Sequence, residues 1–355
     1  MKIAQVAPLH ESVPPRLYGG TERVVAYLTE ELVRAGHEVT LFASGDSVTS
    51  AKLVAPCRRA LRLGGEWTDP IIPHLLLLEQ VFDRADEFDI IHFHTDSLHL
   101  PLCRRSQVPA VATMHGRLDL PDLGPLVREY IEMPLVSISD DQRRPIPEAN
   151  WKATVHHGLP QRMYTPGTGK GGYLAFAGRM SREKRPDLAI QIARRAGVPI
   201  RMAAKVDRAD VAYFDEVVRP LLRQPGVEFI GEINDAEKNA FLGDAIGLLF
   251  PIDWPEPFGI VMIEAMACGT PVIASRRGSV PEIMVHGQTG FVVDTPEDAV
   301  RAVHHLHHVP RSRCREVFDA RFTAARMAAD YLRVFQEVAF ERDRGVPRRV
   351  SRGVA

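Results

Sequence analysis

Short apolar runs alternate with helical stretches along most of the chain, which predicts an α/β fold with parallel sheets. The first series predicts strands over Lys2–Ala7, Glu38–Ala43, Asp89–His94, Ala110–Met114, Leu135–Ser139 and Ala153–His157. Between the first two strands lie a Pro- and Gly-rich loop from His10 to Gly20 and a predicted helix, Thr21–Ala35. In that helix Thr21 reads as the N-cap, Val24, Val25, Leu28 and Leu32 line one face, and Gly36 is the stop. Ile71–Ala85 also reads as a helix, and residues 44–70 read as irregular.

The stretch Pro160 to Gly172, rich in Gly, Pro and polar residues, interrupts the alternation and reads as an interdomain linker. A second series follows. Strands are predicted at Tyr173–Ala177, Ile200–Ala204, Val227–Ile230, Gly247–Phe250 and Pro271–Ser275, and helices at Pro186–Ala196, Ala236–Ala245 and Ile260–Cys268. After Asp298 the pattern is nearly all helical, with Ala324–Glu341 as one long helix and a frayed basic tail beyond it. The expected organisation is a first domain over residues 1–163, a second over 164–325, and a C-terminal helix and tail over 326–355. Each half reads as a doubly wound sheet. Ligands in such sheets sit beyond the C-terminal ends of the strands, so a cleft is expected where two such domains face each other.

Composition narrows the function classes. The chain has 355 residues, with 44 Lys plus Arg against 45 Asp plus Glu. A balance so near neutrality argues against a broad basic face for nucleic acid. Local pairs such as Arg58-Arg59, Arg104-Arg105 and Arg143-Arg144 read as solvated surface. The four cysteines are far apart and form no C-x-x-C pair, which fits a reducing, cytoplasmic setting better than a disulfide scaffold or zinc ribbon. The opening MKIAQVAPLH reads as a strand rather than a signal peptide, and no apolar run is long enough to span a membrane. Peripheral membrane contact stays compatible with this pattern.

The strongest local signal runs from Gly247 to Ser275. A strand leads into Asp253-Trp-Pro-Glu256-Pro-Phe-Gly259, and a helix starts at Ile260. That helix carries one charge, Glu264, in an otherwise apolar sequence, whereas a helix with a wet face shows several polar residues. A buried carboxylate needs hydrogen-bond partners, and ribose hydroxyls are suitable donors. Phe258, Gly259 and Ile260 lie where a helix N-terminus offers free N–H groups. At the end of another strand, Gly178-Arg-Met-Ser-Arg-Glu-Lys184 supplies Arg179 and Lys184, a forked donor and a point charge suited to a diphosphate.

Gly19 and Gly20, between the first strand and first helix, suit close approach of backbone amides to a phosphate, although G-x-G-x-x-G is absent. His115 ends a strand and faces the expected cleft; a lone His is more often structural, but this position favours a role. His92 and His94, with Asp96 and His99 nearby, share one sheet face, yet no further carboxylate–His pattern completes a metal site. Asp235 and Lys238 read either as base-edge contacts or as a helix N-cap and its solvated neighbour.

Together these residues resemble the retaining nucleotide-sugar glycosyltransferases of family 4 (glycosyl transferases group 1). The motifs are E-x7-E at Glu256-Pro-Phe-Gly-Ile-Val-Met-Ile-Glu264, GRMSREKRPD, Tyr18-Gly-Gly-Thr-Glu22, Thr113-Met-His-Gly116, Gly231-Glu-Ile-Asn-Asp-Ala-Glu-Lys238 and His286-Gly-Gln-Thr-Gly-Phe291. The resemblance implies a GT-B fold: two facing Rossmann-like domains, with a C-terminal helix packing back on the first. It implies an acceptor-binding first domain and a donor-binding second domain. By the same resemblance Arg179 and Lys184 stabilise the leaving diphosphate, and Glu264 binds ribose. Glu256, with the amides of Phe258 and Gly259, holds the donor sugar. Gly20 approaches the distal phosphate, His115 contacts the sugar, and Ile233 flanks the base. The implied partners are a UDP-, GDP- or ADP-sugar donor and a glycan, lipid or small-molecule acceptor. No cofactor and no metal are expected, since fixed Arg and Lys charges can meet the charge on the departing diphosphate. Same-face attack would also remove the need for the paired carboxylates of a glycosidase.

Overall fold

The computed structural model describes residues 1–343 other than 18, 65, 66 and 107. Two compact units emerge: unit 1 is Met1–Gly158 together with the helix Ala324–Asp343, and unit 2 is Leu159–Thr323. The expected frayed tail, residues 344–355, lies outside the described residues.

Unit 1 contains a parallel seven-stranded sheet in the order β3-β2-β1-β4-β5-β6-β7. The strands are β1 (Lys2–Val6), β2 (Glu38–Phe42), β3 (Lys52–Val54), β4 (Ile90–Phe93), β5 (Ala110–Thr113), β6 (Leu135–Ser137) and β7 (Trp151–Thr154). Central strands are apolar because helices cover both faces of a parallel sheet. Thus Val6 of β1 lies opposite Phe42 on one side and Phe93 on the other, and all three are fully buried. The C-terminal helix packs back on this sheet. Met327, Tyr331, Val334, Phe335 and Val338 recur at helical spacing and are buried. Tyr331 meets the Thr113 hydroxyl at 3.0 Å, and its ring and that of Phe335 lie 4.8 and 5.2 Å from the His92 ring.

Unit 2 contains a parallel six-stranded sheet in the order β10-β9-β8-β11-β12-β13. These strands are β8 (Leu174–Arg179), β9 (Ile200–Lys205), β10 (Val227–Gly231), β11 (Gly247–Phe250), β12 (Val272–Ser275) and β13 (Gly290–Val293). In both sheets the order reverses beside the first strand, between β1 and β4 and between β8 and β11. Loops leaving the two strands at such a reversal diverge and leave a crevice between them.

Several local expectations change. The segment 44–70, read as irregular, holds β3, which pairs with β2 from Thr40↔Lys52 to Phe42↔Val54. The last strand of unit 1 starts at Trp151, because its pairing with β6 begins at Leu135↔Trp151. β13, at the edge of the sheet, is not among the expected strands. Thr21 is not a cap, since its helix spans Gly20–Arg34 with Gly19 at the N-cap and no side-chain cap bond. Nor does the Pro160–Gly172 stretch hang free. Gly167, Gly169 and Gly171 donate to the carbonyls of Cys268, Gly243 and Asp244 at 2.8–3.0 Å. The Arg311 guanidinium spans the Gly167, Ala245 and Gly243 carbonyls at 2.8–3.0 Å.

Candidate active site

In unit 2 the two loops at the strand-order reversal carry most of the predicted donor residues. Arg179 closes β8, and the turn after it, Arg182–Lys184, brings Lys184 forward. The Glu183 carbonyl accepts from the Asp253 amide at 2.9 Å, which ties this loop to the one after β11. Lys184 donates to the Glu256 carboxylate, and its ammonium lies 5.1 Å from the Trp254 ring centroid and 5.5 Å from that of Phe250. Trp254 Nε1 donates to the same Glu256 oxygen at 3.0 Å. Arg179 pairs with Glu183 and lies 3.7 Å from Asp207. Both predicted phosphate cations are therefore engaged by carboxylates, the kind of contact an incoming diphosphate can replace.

The loop after β11 is held closely from behind. Ser279 donates its amide to the Glu256 carbonyl and its hydroxyl to the Phe258 carbonyl, each at 2.9 Å. Gly259 then caps the helix Ile260–Ala267 in the left-handed region, at φ 76°. A Cβ at this position would come within 2.8 Å of Met262 Cε and 3.1 Å of Phe250, so glycine is required by both conformation and space. The first amides of a helix have no intrahelical partner, which leaves the Gly259–Ile260 turn as a donor surface.

Glu264 is 3% exposed on this otherwise apolar helix. It is not left without a donor: Lys238 Nζ reaches it at 2.8 Å and Tyr164 Oη at 3.3 Å. Lys238 is thus a partner of the buried carboxylate rather than a solvated neighbour. The adjacent N-cap is Asn234, whose side chain accepts from the Ala236 and Glu237 amides, and not Asp235. Ile233 sits half-buried in the short connection between β10 and this capped helix. The pairing of Lys238 and Tyr164 with Glu264, and of Trp254 with Glu256, leaves no mark in the sequence, although Lys238 and Trp254 lie within segments read above. Tyr164 lies in the stretch that resembles a linker, and Lys238 is far from Glu264 in sequence.

In unit 1 the corresponding loops follow β1 and β4. Gly19 is fixed by close approach, since a Cβ there would lie 2.8 Å from Pro15 Cβ. Gly20 opens the first helix and is exposed; Tyr18, the first residue of this motif, lies outside the described residues. Glu22, in the first turn, is buried and is pushed up to about 7. Burial is the main cause; backbone amides of Glu22 and Glu11 oppose it, and the nearby Glu11 charge adds to it.

His115 follows β5 and joins a line of buried rings. His94 Nδ1 lies 2.8 Å from His115 Nε2, His94 Nε2 lies 2.9 Å from Gln5 Oε1, and His157 stacks on His115 at 5.4 Å. Among the described residues His115 Nδ1 has no protein partner. Burial pushes His115 down to about 3 and His92, His94 and His157 well below the ordinary histidine range, so these rings are neutral. His92 and His94 do share one face, with ring centroids 4.0 Å apart, but His92 is bonded to Thr113 at 2.7 Å. Among the described residues no group of three or more His, Cys, Asp or Glu is arranged to hold a metal ion.

Comparison with known proteins fits this architecture. Residues 166–316 match the model for glycosyl transferases group 1, and residues 18–140 match that for glycosyltransferase family 4. A phosphatidyl-myo-inositol mannosyltransferase of Mycobacterium leprae is 26% identical over 96% of this chain and 97% of its own length. Among solved structures, sucrose-phosphate synthase of Thermosynechococcus elongatus is similar with a TM-score of 0.78 at 18% identity, covering 95% of this chain and 98% of that one. HepE of Anabaena, solved with UDP and glucose, gives a TM-score of 0.71 at 17% identity, covering 95% and 99%. The two family models together span most of the chain, and the sheets they cover are the two described above: the protein belongs to the group 1, family 4 glycosyltransferases, enzymes of GT-B fold that use nucleotide sugars.

Proposed function

We propose that the enzyme is a retaining, metal-independent transferase that moves a hexose-type sugar from a UDP-, GDP- or ADP-sugar to a glycan, lipid or small-molecule acceptor. The observation that carries this reading is the cluster at the β8/β11 reversal. There Lys184 and Arg179 stand beside Glu256 and the amide-bearing turn at Gly259, with Glu264 on the helix that follows. The name of the mannosyltransferase relative and the HepE complex with UDP and glucose support sugar transfer with a nucleotide donor.

In this scheme Arg179 and Lys184 exchange their carboxylate partners for the donor diphosphate. Glu264, fixed by Lys238, accepts hydrogen bonds from ribose hydroxyls, and Ile233 flanks the base. Glu256 and the Phe258, Gly259 and Ile260 amides take sugar hydroxyls. In unit 1, taken by itself, the Gly19 and Gly20 amides suit a phosphate and His115 suits a sugar hydroxyl. The bond from the anomeric carbon to the phosphate oxygen breaks as the acceptor oxygen attacks on the same face. The acceptor proton passes to the departing phosphate oxygen. Charge building on the diphosphate is met by groups already in place, which lowers the barrier without reorganisation. Glu256 keeps Trp254 Nε1 as a donor when Lys184 turns to the diphosphate, and it is given no nucleophile role.

The test is turnover of UDP-, GDP- and ADP-hexoses with the purified chain, with and without EDTA, with the anomer of the first-formed sugar followed by NMR. The expected result is hydrolysis or transfer from one donor class, unchanged by EDTA, with the donor's anomeric configuration kept. Inverted product would overturn retention, and activity lost to EDTA and restored by a divalent ion would overturn metal independence.

A further inference from the structure

Unit 2 holds a cavity of about 180 Å³ within the loops after β11, β12 and β13 and the first turns of the helices Pro186–Arg195 and Pro296–His305. None of the described residues that line it is among those assigned to the donor above. Its floor is apolar. Leu188, Ile192, Leu249, Ile273, Val293 and Ala299 form it, and all but the half-buried Leu188 are core residues. Sites for drug-sized molecules start at about 300 Å³, so the natural guest here is a small one.

The mouth of the cavity is cationic. Arg185, Arg276 and Arg277 line it against two carboxylates, Asp253 and Asp294. A guanidinium stays charged throughout the accessible pH range, so this positive excess does not depend on titration. Arg276 Nε donates to Asp294 at 2.9 Å, and Arg185 donates from Nε and Nη2 to Asp187 at 3.0 and 3.1 Å. Asp253 is placed differently. Its carboxylate lies 3.6 Å from Arg185 Nη1 and 3.8 Å from Arg277 Nη2. Both distances exceed the length of a hydrogen bond, so neither contact uses the donors involved. Two guanidinium groups therefore converge on one small region with bonding capacity to spare, and an anion there can take N–H groups from both.

The backbone at Arg185 is also unusual. This residue sits in the left-handed region at φ 53°, a conformation that non-glycine residues hold only where surrounding contacts fix it. It places the guanidinium beside the loop after β11, whose Pro251, Ile252 and Asp253 form part of the cavity wall and lead on to Trp254 and Glu256.

The two halves of the lining ask for different things. A bare inorganic anion would leave the apolar floor facing water, and a plain hydrocarbon would leave the guanidinium donors unused. A molecule with an anionic head and an apolar body satisfies both. A phosphate monoester suits the head better than a carboxylate does, because it brings close to two negative charges and three acceptor oxygens to a mouth with excess positive charge.

We propose that this cavity is a second anion site, which takes a small phosphate monoester with its phosphate at Arg185 and Arg277 and its apolar body over Leu188 and the floor. The site is separate from the donor diphosphate at Arg179 and Lys184, and the proposal does not rest on the donor reading.

Titration calorimetry of the full chain at neutral pH tests this with phenyl phosphate, inorganic phosphate and phenol. Phenyl phosphate should bind saturably, and about tenfold or more tighter than inorganic phosphate, because partial burial of one ring supplies that much. Phenol, which lacks the anion, should bind at least about tenfold more weakly than phenyl phosphate. Arg277→Ala, at an exposed position, should weaken phenyl phosphate about tenfold, and Leu188→Ser should abolish its advantage over inorganic phosphate. Lys184→Ala should leave its affinity unchanged. Absence of phenyl phosphate binding, equal binding of phenyl and inorganic phosphate, or phenol binding as tightly would each overturn the proposal. So would an affinity insensitive to Arg277→Ala, or an advantage untouched by Leu188→Ser. Loss of binding in Lys184→Ala would assign the anion to the donor cations instead and overturn the second site, whereas failure of every nucleotide to bind would touch only the donor reading.

Discussion

Glu22 shows how one buried side chain can set a pH dependence. Its carboxyl is raised to about 7 mainly by burial, whereas an unfolded glutamate titrates near 4.5. Between those values the folded state holds more protons, so stability falls as pH rises through this window. Glu22→Gln removes the titration. Relative to the native protein, the variant should gain melting temperature steadily between pH 5 and pH 8, as thermal unfolding at each pH would record. A constant difference would contradict the assignment. The buried histidines act in the opposite sense. Their folded values are depressed, so the unfolded chain takes up protons first as pH falls below about 6.5, and stability is lost toward acid. Glu264 and Lys238 show where residue-level reading stops. An apolar helix with one charge made the burial of Glu264 legible, but its ammonium partner lies on another helix and carries no local signal.

At the level of elements, the loops at the two strand-order reversals position nearly every candidate residue. Gly259 is the clearest test. Gly259→Ala must place a Cβ at φ 76° and against Met262, and the backbone conformation alone costs about 1–2 kcal/mol. We expect a lower melting temperature and weaker binding of the nucleotide sugar than of the nucleotide alone, since the turn serves the sugar. Equal losses for both ligands would argue against that division of labour. The same elements explain how much the sequence disclosed. Central strands are buried on both faces and mostly apolar: β11 reads Gly-Leu-Leu-Phe before Pro251, and β1 is buried from Ile3 to Val6 with Gln5 its one polar residue there. The sheet-edge strands β3 and β13 are three and four residues long, and each pairs on one side only. The Pro160–Gly172 stretch has a linker's composition, yet backbone hydrogen bonds and Arg311 dock it on unit 2, where it delivers Tyr164 to Glu264. Contacts made by main chain leave little mark on composition.

For the whole molecule, the division into two units separates stability from donor binding. Phe335, on the C-terminal helix, is fully buried against unit 1 beside His92 and Tyr331. Phe335→Ala should destabilise unit 1 by about 3–5 kcal/mol through lost burial and the cavity left behind. Calorimetric unfolding should show that loss while nucleotide affinity below the transition stays unchanged. The central claim is that unit 2 holds a nucleoside diphosphate through Lys184 and Arg179 on the phosphates and Glu264 on the ribose. Titration calorimetry of UDP, GDP and ADP against the native chain, Lys184→Ala and Glu264→Gln tests it most directly. We predict that one nucleotide binds the native chain and that each variant weakens it about tenfold or more, the worth of one hydrogen bond to a charged group. Absence of binding by all three nucleotides, or unchanged affinity in both variants, would contradict the account.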